Sequence, residues 1–150
     1  MYGKRLGSSS AAAPLIGGQT TEDIMPLIRI SLHSGKPASY RRAIADNVYE
    51  ALRETFTVPE KDFFATISEH GKDGFVYDRS YFNIERSDDL VLIQLTVSNT
   101  RGVEQKKALY RRIVERLVQA LGLRPQDVFI NLVEVAKENW SFGNGEAQYA

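Results

Sequence analysis

An internal repeat constrains the fold of this chain more than any other feature of its sequence. Shifting the sequence by 65 residues aligns residues 26–70 with residues 91–135 without a gap. Phe64 then falls on Phe129, and apolar positions fall on apolar positions in both halves. A chain that repeats in this way builds its fold from two similar supersecondary units.

Each repeat half has the pattern of a strand, a long helix and a second strand. In the first half, residues 27–32 form a short β-favouring run that ends in a turn at Gly35. Apolar residues then recur at helical spacing over residues 44–56, and this pattern stops before Pro59. Residues 63–67 follow as a second strand. The sequence therefore predicts two βαβ units in tandem.

Two βαβ units predict an α/β (α+β) fold with one four-stranded, mostly parallel sheet. The right-handed crossover of each unit places both helices on one face of that sheet. The opposite face needs a cover, because a large apolar face is not left exposed by a soluble chain. We expect trimers or larger rings to provide it. A monomeric ferredoxin-like sandwich whose sheet binds another molecule is the alternative.

Composition excludes several classes of function. The sequence has no cysteine and two isolated histidines, which argues against disulfides, thiolate chemistry and a histidine-rich zinc site. Nineteen basic and nineteen acidic residues cancel, so the overall charge gives no reason to expect a nucleic-acid partner. The apolar runs fall far short of the roughly 20 residues of a spanning helix. We therefore expect no metal, no nucleic acid and no membrane.

The first 25 residues differ from the rest in composition and in hydrophobic pattern. They are rich in Ser, Ala and Gly and show no hydrophobic periodicity, so residues 1–25 are interpreted as a flexible leader or tag and residues 26–150 as a single domain. No apolar segment of about 7–15 residues follows the early basic residues, so a secretory signal is not predicted and the cytoplasm is the expected location. Organelle targeting stays open.

The dipeptide Met25-Pro26 stands where this segment meets the first strand. If translation starts at Met25 or processing removes the leader, Pro26 becomes an N-terminal secondary amine. The pKa of an α-amino group is near 8, and desolvation or nearby cations lower it, so such an amine can act as a base at neutral pH. The structural alternative is that proline is merely tolerated at the start of a strand.

Further motifs combine with this proline into a family resemblance. The chain resembles the tautomerase superfamily and, within it, the malonate semialdehyde decarboxylase group. The residues that carry the resemblance are Pro26-Leu27, Val58-Pro59 leading to Asp62, Arg101 followed by Glu104-Gln105-Lys106 and Tyr110, Pro125-Gln126-Asp127-Val128, and Trp140-Ser141-Phe142-Gly143-Asn144-Gly145. The last motif and the arginine spacing are the most specific of these.

The resemblance implies a trimeric fold like that of 4-oxalocrotonate tautomerase and an enzyme that needs no cofactor. By position, Pro26 matches the catalytic amine and Asp62 matches an aspartate that orients or activates water. Arg101 matches an arginine that binds the substrate carboxylate, a task that suits its planar, permanently charged fork. Trp140 and Phe142 match an apolar wall. These five positions, together with Asn99 as a substrate-binding residue, are the expected site.

One position departs from the decarboxylase pattern. That group has two arginines one residue apart, whereas this chain has Asn99 before Arg101. Asn99 would contact substrate with neutral hydrogen bonds only. Loss of the second cation weakens polarisation of a β-keto acid, while enol–keto tautomerisation needs one base and one carboxylate anchor. The preferred function is therefore tautomerisation of a small 2-oxo acid or enol. The alternatives are a decarboxylase or hydratase, and a silent binding protein that keeps its leader.

Structural explanations compete with these roles. Asp62 and its repeat mate Asp127 both precede a strand, where aspartate commonly caps a turn. Arg101 could be a solvated residue before the second helix, although sites in open α/β sheets tend to lie beyond strand ends. Trp140 and Phe142 have the residue types of a core or an interface. The burial and contacts of these side chains decide between the readings.

Overall fold

The computed structural model describes residues 15–16, 19–20 and 25–150. Most of the predicted leader therefore lies outside the described residues. Within it, β1 (Leu15–Ile16) pairs with β2 (Gln19–Thr20) as a short antiparallel pair.

The two repeat halves fold into six further elements in the predicted order. These are β3 (Leu27–His33), α1 (Ala38–Phe56), β4 (Phe64–His70), β5 (Val91–Ser98), α2 (Val103–Leu121) and β6 (Val128–Val135). Both helices have 19 residues. Gly122 ends α2 with φ 66°, and its N–H donates to Val118 O at 2.9 Å, the usual left-handed helix stop. Among the described helices, none combines the length and apolar character needed to cross a membrane.

The sheet has the strand order β4-β3-β5-β6. Strand β3 is parallel to β4 and β5 is parallel to β6, while β3 and β5 pair antiparallel. Arg29 lies opposite Gln94, its own repeat mate, so an approximate twofold axis passes between these two residues. The predicted four-stranded, mostly parallel sheet is confirmed.

The core lies between one face of the sheet and the two helices. Ile28 and Ile30 of β3 pair with Leu95 and Ile93 of β5, and all four are at most 1% exposed. The helices cover them with side chains from both repeats: Ile44, Val48, Leu52, Leu109, Ile113 and Leu117. Burial of each large aliphatic side chain contributes about 1.5–3 kcal/mol, so these residues hold the helices on this face.

The open face of the sheet is less apolar than the sequence predicts. Exposed apolar side chains such as Phe64, at 55%, and Phe129, at 39%, lie towards its ends. Its middle is polar, since Arg29 pairs with Gln94 and the Gln94 amide donates to Asn131 Oδ1 at 3.1 Å. Successive residues of a strand point to opposite faces of the sheet, so the polar residues within these strands lie on the open face. The number of apolar residues in each strand does not show this distribution.

The segment that joins the repeats is held by Asp127. This residue is fully buried, and its carboxylate accepts hydrogen bonds from Ser87 N at 2.7 Å and Ser87 Oγ at 2.6 Å. The segment contains the 3₁₀ turns Lys72–Gly74 and Tyr81–Asn83. Asp127 therefore has a structural role, but its carboxylate anchors the connecting segment through Ser87, which differs from the turn cap that the sequence suggested.

Candidate active site

The topology gathers the predicted site residues at one end of the sheet. Parallel β3 and β4 both begin there, so Pro26 and Asp62 lie at neighbouring strand starts. The antiparallel partner β5 ends there, followed by Arg101, and β6 ends beside it, followed by Trp140. Four separate segments therefore converge at this edge.

Pro26 and Arg101 share a small cavity at this end. Of the residues that the structure describes, those lining it are Met25, Pro26, Phe56, Val58, Val97, Ser98, Thr100 and Arg101. The free space is about 10 Å³, roughly enough for one water molecule. Pro26 is buried, and Met25, the residue before it, forms part of the cavity wall.

Arg101 is not the solvated residue that the structural alternative proposed. It is 8% exposed, and its Nη2 donates to Phe56 O, the last residue of α1, at 2.6 Å. Its Nη1 donates to Thr100 Oγ1 at 2.6 Å, and the guanidinium lies 5.3 Å from the Phe56 ring centroid. A cation is favourable at a helix C-terminus. The surrounding protein thus fixes this positive charge at the cavity wall.

Asp62 is partly buried near the start of β4. Its backbone N–H donates to Tyr49 Oη at 3.2 Å, and that hydroxyl donates to Pro59 O at 2.5 Å. The Tyr49 ring stacks on Phe63 at 4.6 Å. Burial raises the pKa of the Asp62 carboxyl to about 6. A carboxyl group with this pKa can exchange protons near neutral pH, as acid–base residues do. Asp62 is not part of the cavity lining given above.

Replacing Asp62 with asparagine is expected to stabilise the fold at alkaline pH. The folded carboxyl has a pKa of about 6 against an ordinary 3.8, so ionisation costs the folded state increasing free energy as pH rises between these values. Asp62→Asn removes that cost and should raise the unfolding midpoint by roughly 2–4 °C at pH 8. The gain should disappear towards pH 3.5.

The exposed Asp73 provides the matched control for thermal unfolding at both pH values. Asp73→Asn should show no comparable difference between pH 8 and pH 3.5. A destabilised Asp62→Asn at pH 8 would contradict the assigned burial cost.

Trp140 and Phe142 form an aromatic group beside the cavity. Trp140 Nε1 donates to Ser98 Oγ at 3.2 Å, and Ser98 lines the cavity. The Trp140 and Phe142 rings stack at 5.5 Å, and Tyr149 meets Phe142 edge-on at 4.8 Å. Phe142 remains 38% exposed. Ser98 thus connects this aromatic group to the cavity wall.

Asn99 lies between two cavity residues. It is exposed, and its backbone N–H donates to Val135 O, which fixes the loop at the strand end. Sequence reasoning missed its neighbours Ser98 and Thr100 as wall residues. Their place on either side of Asn99, at the end of a predicted strand, was the available signal.

Comparison with known proteins identifies the family. A family model described as tautomerase enzyme matches residues 62–143, and a second with the same description matches residues 26–82. The chain belongs to the tautomerase family. The probable tautomerase YusQ of Bacillus subtilis (strain 168) is 42% identical over 124 residues, which are 83% of this chain and 98% of YusQ.

Solved structures place decarboxylases among the tautomerase-fold relatives of this chain. FG41 malonate semialdehyde decarboxylase, inhibited by 3-bromopropiolate, is 36% identical with a TM-score of 0.76, over 82% of this chain and 93% of that one. Another malonate semialdehyde decarboxylase, with decarboxylase and hydratase activities, is 30% identical with a TM-score of 0.76, over 82% and 95%. The superfamily assignment, with malonate semialdehyde decarboxylase-like relatives, is confirmed.

Proposed function

We propose that this protein is a cofactor-independent tautomerase that interconverts small 2-oxo acids and their enols. The carrying observation is the cavity that Pro26 shares with Arg101, because a base and a carboxylate anchor are the two groups that the reaction needs. The Pro26 amine would accept the enol hydroxyl proton, and the resulting ammonium would return a proton to the substrate carbon. The amine is regenerated at the end of the cycle.

This role requires a free Pro26 nitrogen. An amide nitrogen bonded to Met25 is not basic, so the active form would begin at Pro26, with residues 26–150 as its single domain. The pKa of an α-amino group is near 8. Apolar walls and the nearby Arg101 cation would both lower that pKa, which favours the neutral base at physiological pH.

The other predicted residues would support this chemistry. Arg101 would hold the substrate carboxylate, and Asn99 would add a neutral contact at its edge. Asp62 would position water or the amine. Trp140 and Phe142 would keep water out of the cavity, which strengthens charge–charge interactions within it.

A homotrimer is the proposed assembly. The exposed Phe64, Phe129 and Val133 side chains on the open sheet face support association between copies, since apolar side chains of this size gain free energy when an interface covers them. The resemblance to the tautomerase superfamily implies the trimeric form.

Decarboxylation or hydration of a carbonyl acid is the second candidate. Two observations favour it: the malonate semialdehyde decarboxylase relatives and the raised pKa of Asp62, which would let that carboxyl handle a water proton. Asn99 disfavours it, because a neutral amide polarises a carbonyl less than a second arginine would. Release of carbon dioxide from malonate semialdehyde distinguishes this reaction from tautomerisation.

The third candidate is a silent binding protein on the same frame. It applies if the natively produced chain keeps the residues before Pro26, because the acylated proline then has no basic nitrogen. Met25 in the cavity wall is consistent with this form.

The deciding experiment combines the intact mass of the natively produced protein with a phenylenolpyruvate ketonisation assay at pH 7. We expect a mass that begins at Pro26, together with activity. The matched control is the chain with residues 1–25 retained, which should be inactive although folded. Equal activity in both forms would refute the N-terminal amine mechanism, and inactivity of the form that begins at Pro26 would refute the proposed tautomerase.

A further inference from the structure

A second cleft lies at the opposite end of the sheet from Pro26. Its volume is about 220 Å³, and it is formed by the end of β3, the start of α1 and the residues just before β5. Lys36, Tyr40 and Asp89 are among its lining residues. This volume exceeds that of the cavity at Pro26, which is about 10 Å³.

The internal repeat relates the walls of the two cavities. Lys36 is the repeat mate of Arg101, 65 residues away in the sequence, and His33 is the mate of Ser98. All four line one cavity or the other. The approximate twofold axis at the centre of the sheet exchanges its two ends, so the second cleft is the duplicated counterpart of the candidate active site.

The duplicated cleft retains features that bind an anion. Lys36, like Arg101, stands two residues before the start of a 19-residue helix, whose N-terminal end carries partial positive charge. The Lys36 ammonium lies 5.1 Å from the Tyr40 ring centroid. Burial raises the pKa of the Tyr40 hydroxyl, which keeps it a neutral hydrogen-bond donor. Lys36 and Tyr40 both line the cleft, beside the start of α1.

The carboxylates in the cleft are already engaged with cations. Lys36 Nζ lies 2.9 Å from Asp89 Oδ1, and the two side chains are 37% and 53% exposed. Exposed ion pairs of this kind contribute little net stability, so a competing anion can replace Asp89. Asp88 pairs with Arg79 at 2.5 Å. Neither acid therefore blocks an anion from Lys36.

We propose that this cleft is a second binding site for a small carboxylate, held by Lys36 in place of Asp89. The site binds without turnover, because Val91, within β5, occupies the position equivalent to Pro26 and supplies no free amine. The comparison with Arg101 uses the role that we propose for that residue, but binding here does not depend on catalysis.

The test is a backbone-amide NMR titration of the full chain with sodium pyruvate at constant ionic strength. Saturable shifts are expected at the amides of Gly35 and Lys36. Lys36→Met should weaken this binding about two- to fivefold, the loss expected when an exposed ion pair worth up to about 1 kcal/mol is removed. Asp89→Asn should strengthen binding several-fold because it removes the internal competitor.

The control is Lys107→Met, which removes a lysine that is also ion-paired, here with Glu104, but lies outside both cavities, and it should leave the shifts unchanged. Absence of saturable shifts at Gly35 and Lys36, or shifts that persist unchanged in Lys36→Met, would overturn the proposal. Amide shifts near Arg101 report separately on the first cavity. The proposed function is tested separately, by ketonisation activity of the form that begins at Pro26, and failure there would count against that function and not against this second site.

Discussion

Pro26→Ala, in the chain that begins at residue 26, is expected to lose about 10²-fold or more of its ketonisation activity while remaining folded. General base catalysis by a positioned group contributes about 10²–10⁴-fold, and alanine presents a primary amine without the ring that fixes the nitrogen. The fold should survive because β3 begins at Leu27, so residue 26 contributes no strand residue. The measurement is kcat/KM for phenylenolpyruvate together with the unfolding midpoint.

The matched control for this variant is Pro125→Ala. Pro125 also precedes a strand, but it lies at the far end of the sheet in the short turn before β6. We expect wild-type activity from it. Undiminished kcat/KM in Pro26→Ala would refute the need for the proline ring, because the variant keeps an N-terminal amine. A pH–rate profile of the remaining activity would show whether an acidic limb near pH 6, the pKa given above for Asp62, persists.

The fold could be predicted from the sequence because the repeat supplied each element twice. The helices begin at Ala38 and Val103, which are themselves 65 residues apart. The second strand was predicted over residues 63–67, whereas β4 runs over Phe64–His70. The polar end of β4 is held by backbone pairing with β3 as far as His33 with His70. Because β4 is an edge strand, this end carries polar residues and gives no apolar pattern in the sequence.

The sequence indicated where the candidate site residues lie in the fold, but it did not indicate the environment of each side chain. Asp62 and Asp127 occupy the same place in the repeat, yet Asp127 is bound by Ser87, 40 residues away, and Asp62 is half-buried with a raised pKa. That difference depends on the path of the connecting segment, which no local spacing encodes. Likewise, Arg101 is buried because the end of α1 reaches it through Phe56 O, a contact between residues 45 apart.

The second large effect concerns Arg101. Arg101→Lys keeps a positive charge but loses the planar fork, and we expect kcat/KM for phenylenolpyruvate to fall about 10–10²-fold, mainly through KM. Arg101→Met removes the charge as well and should lower kcat/KM about tenfold further. Both changes also remove the bond to Phe56 O, which costs about 1–3 kcal/mol of stability. Assays at temperatures well below the unfolding midpoint separate this loss of stability from the loss of substrate binding.

Arg124→Lys is the matched control for this change. Its guanidinium also donates to a backbone carbonyl, Glu85 O at 3.0 Å, but at the opposite end of the sheet, so its kcat/KM should stay within about twofold of wild type. If Arg101 anchors the carboxylate, the loss in Arg101→Met must shrink for an enol substrate that lacks a carboxylate. An equal loss for both substrates would mean that Arg101 acts only by holding the end of α1 in place, and the carboxylate-binding role would have to pass to another residue.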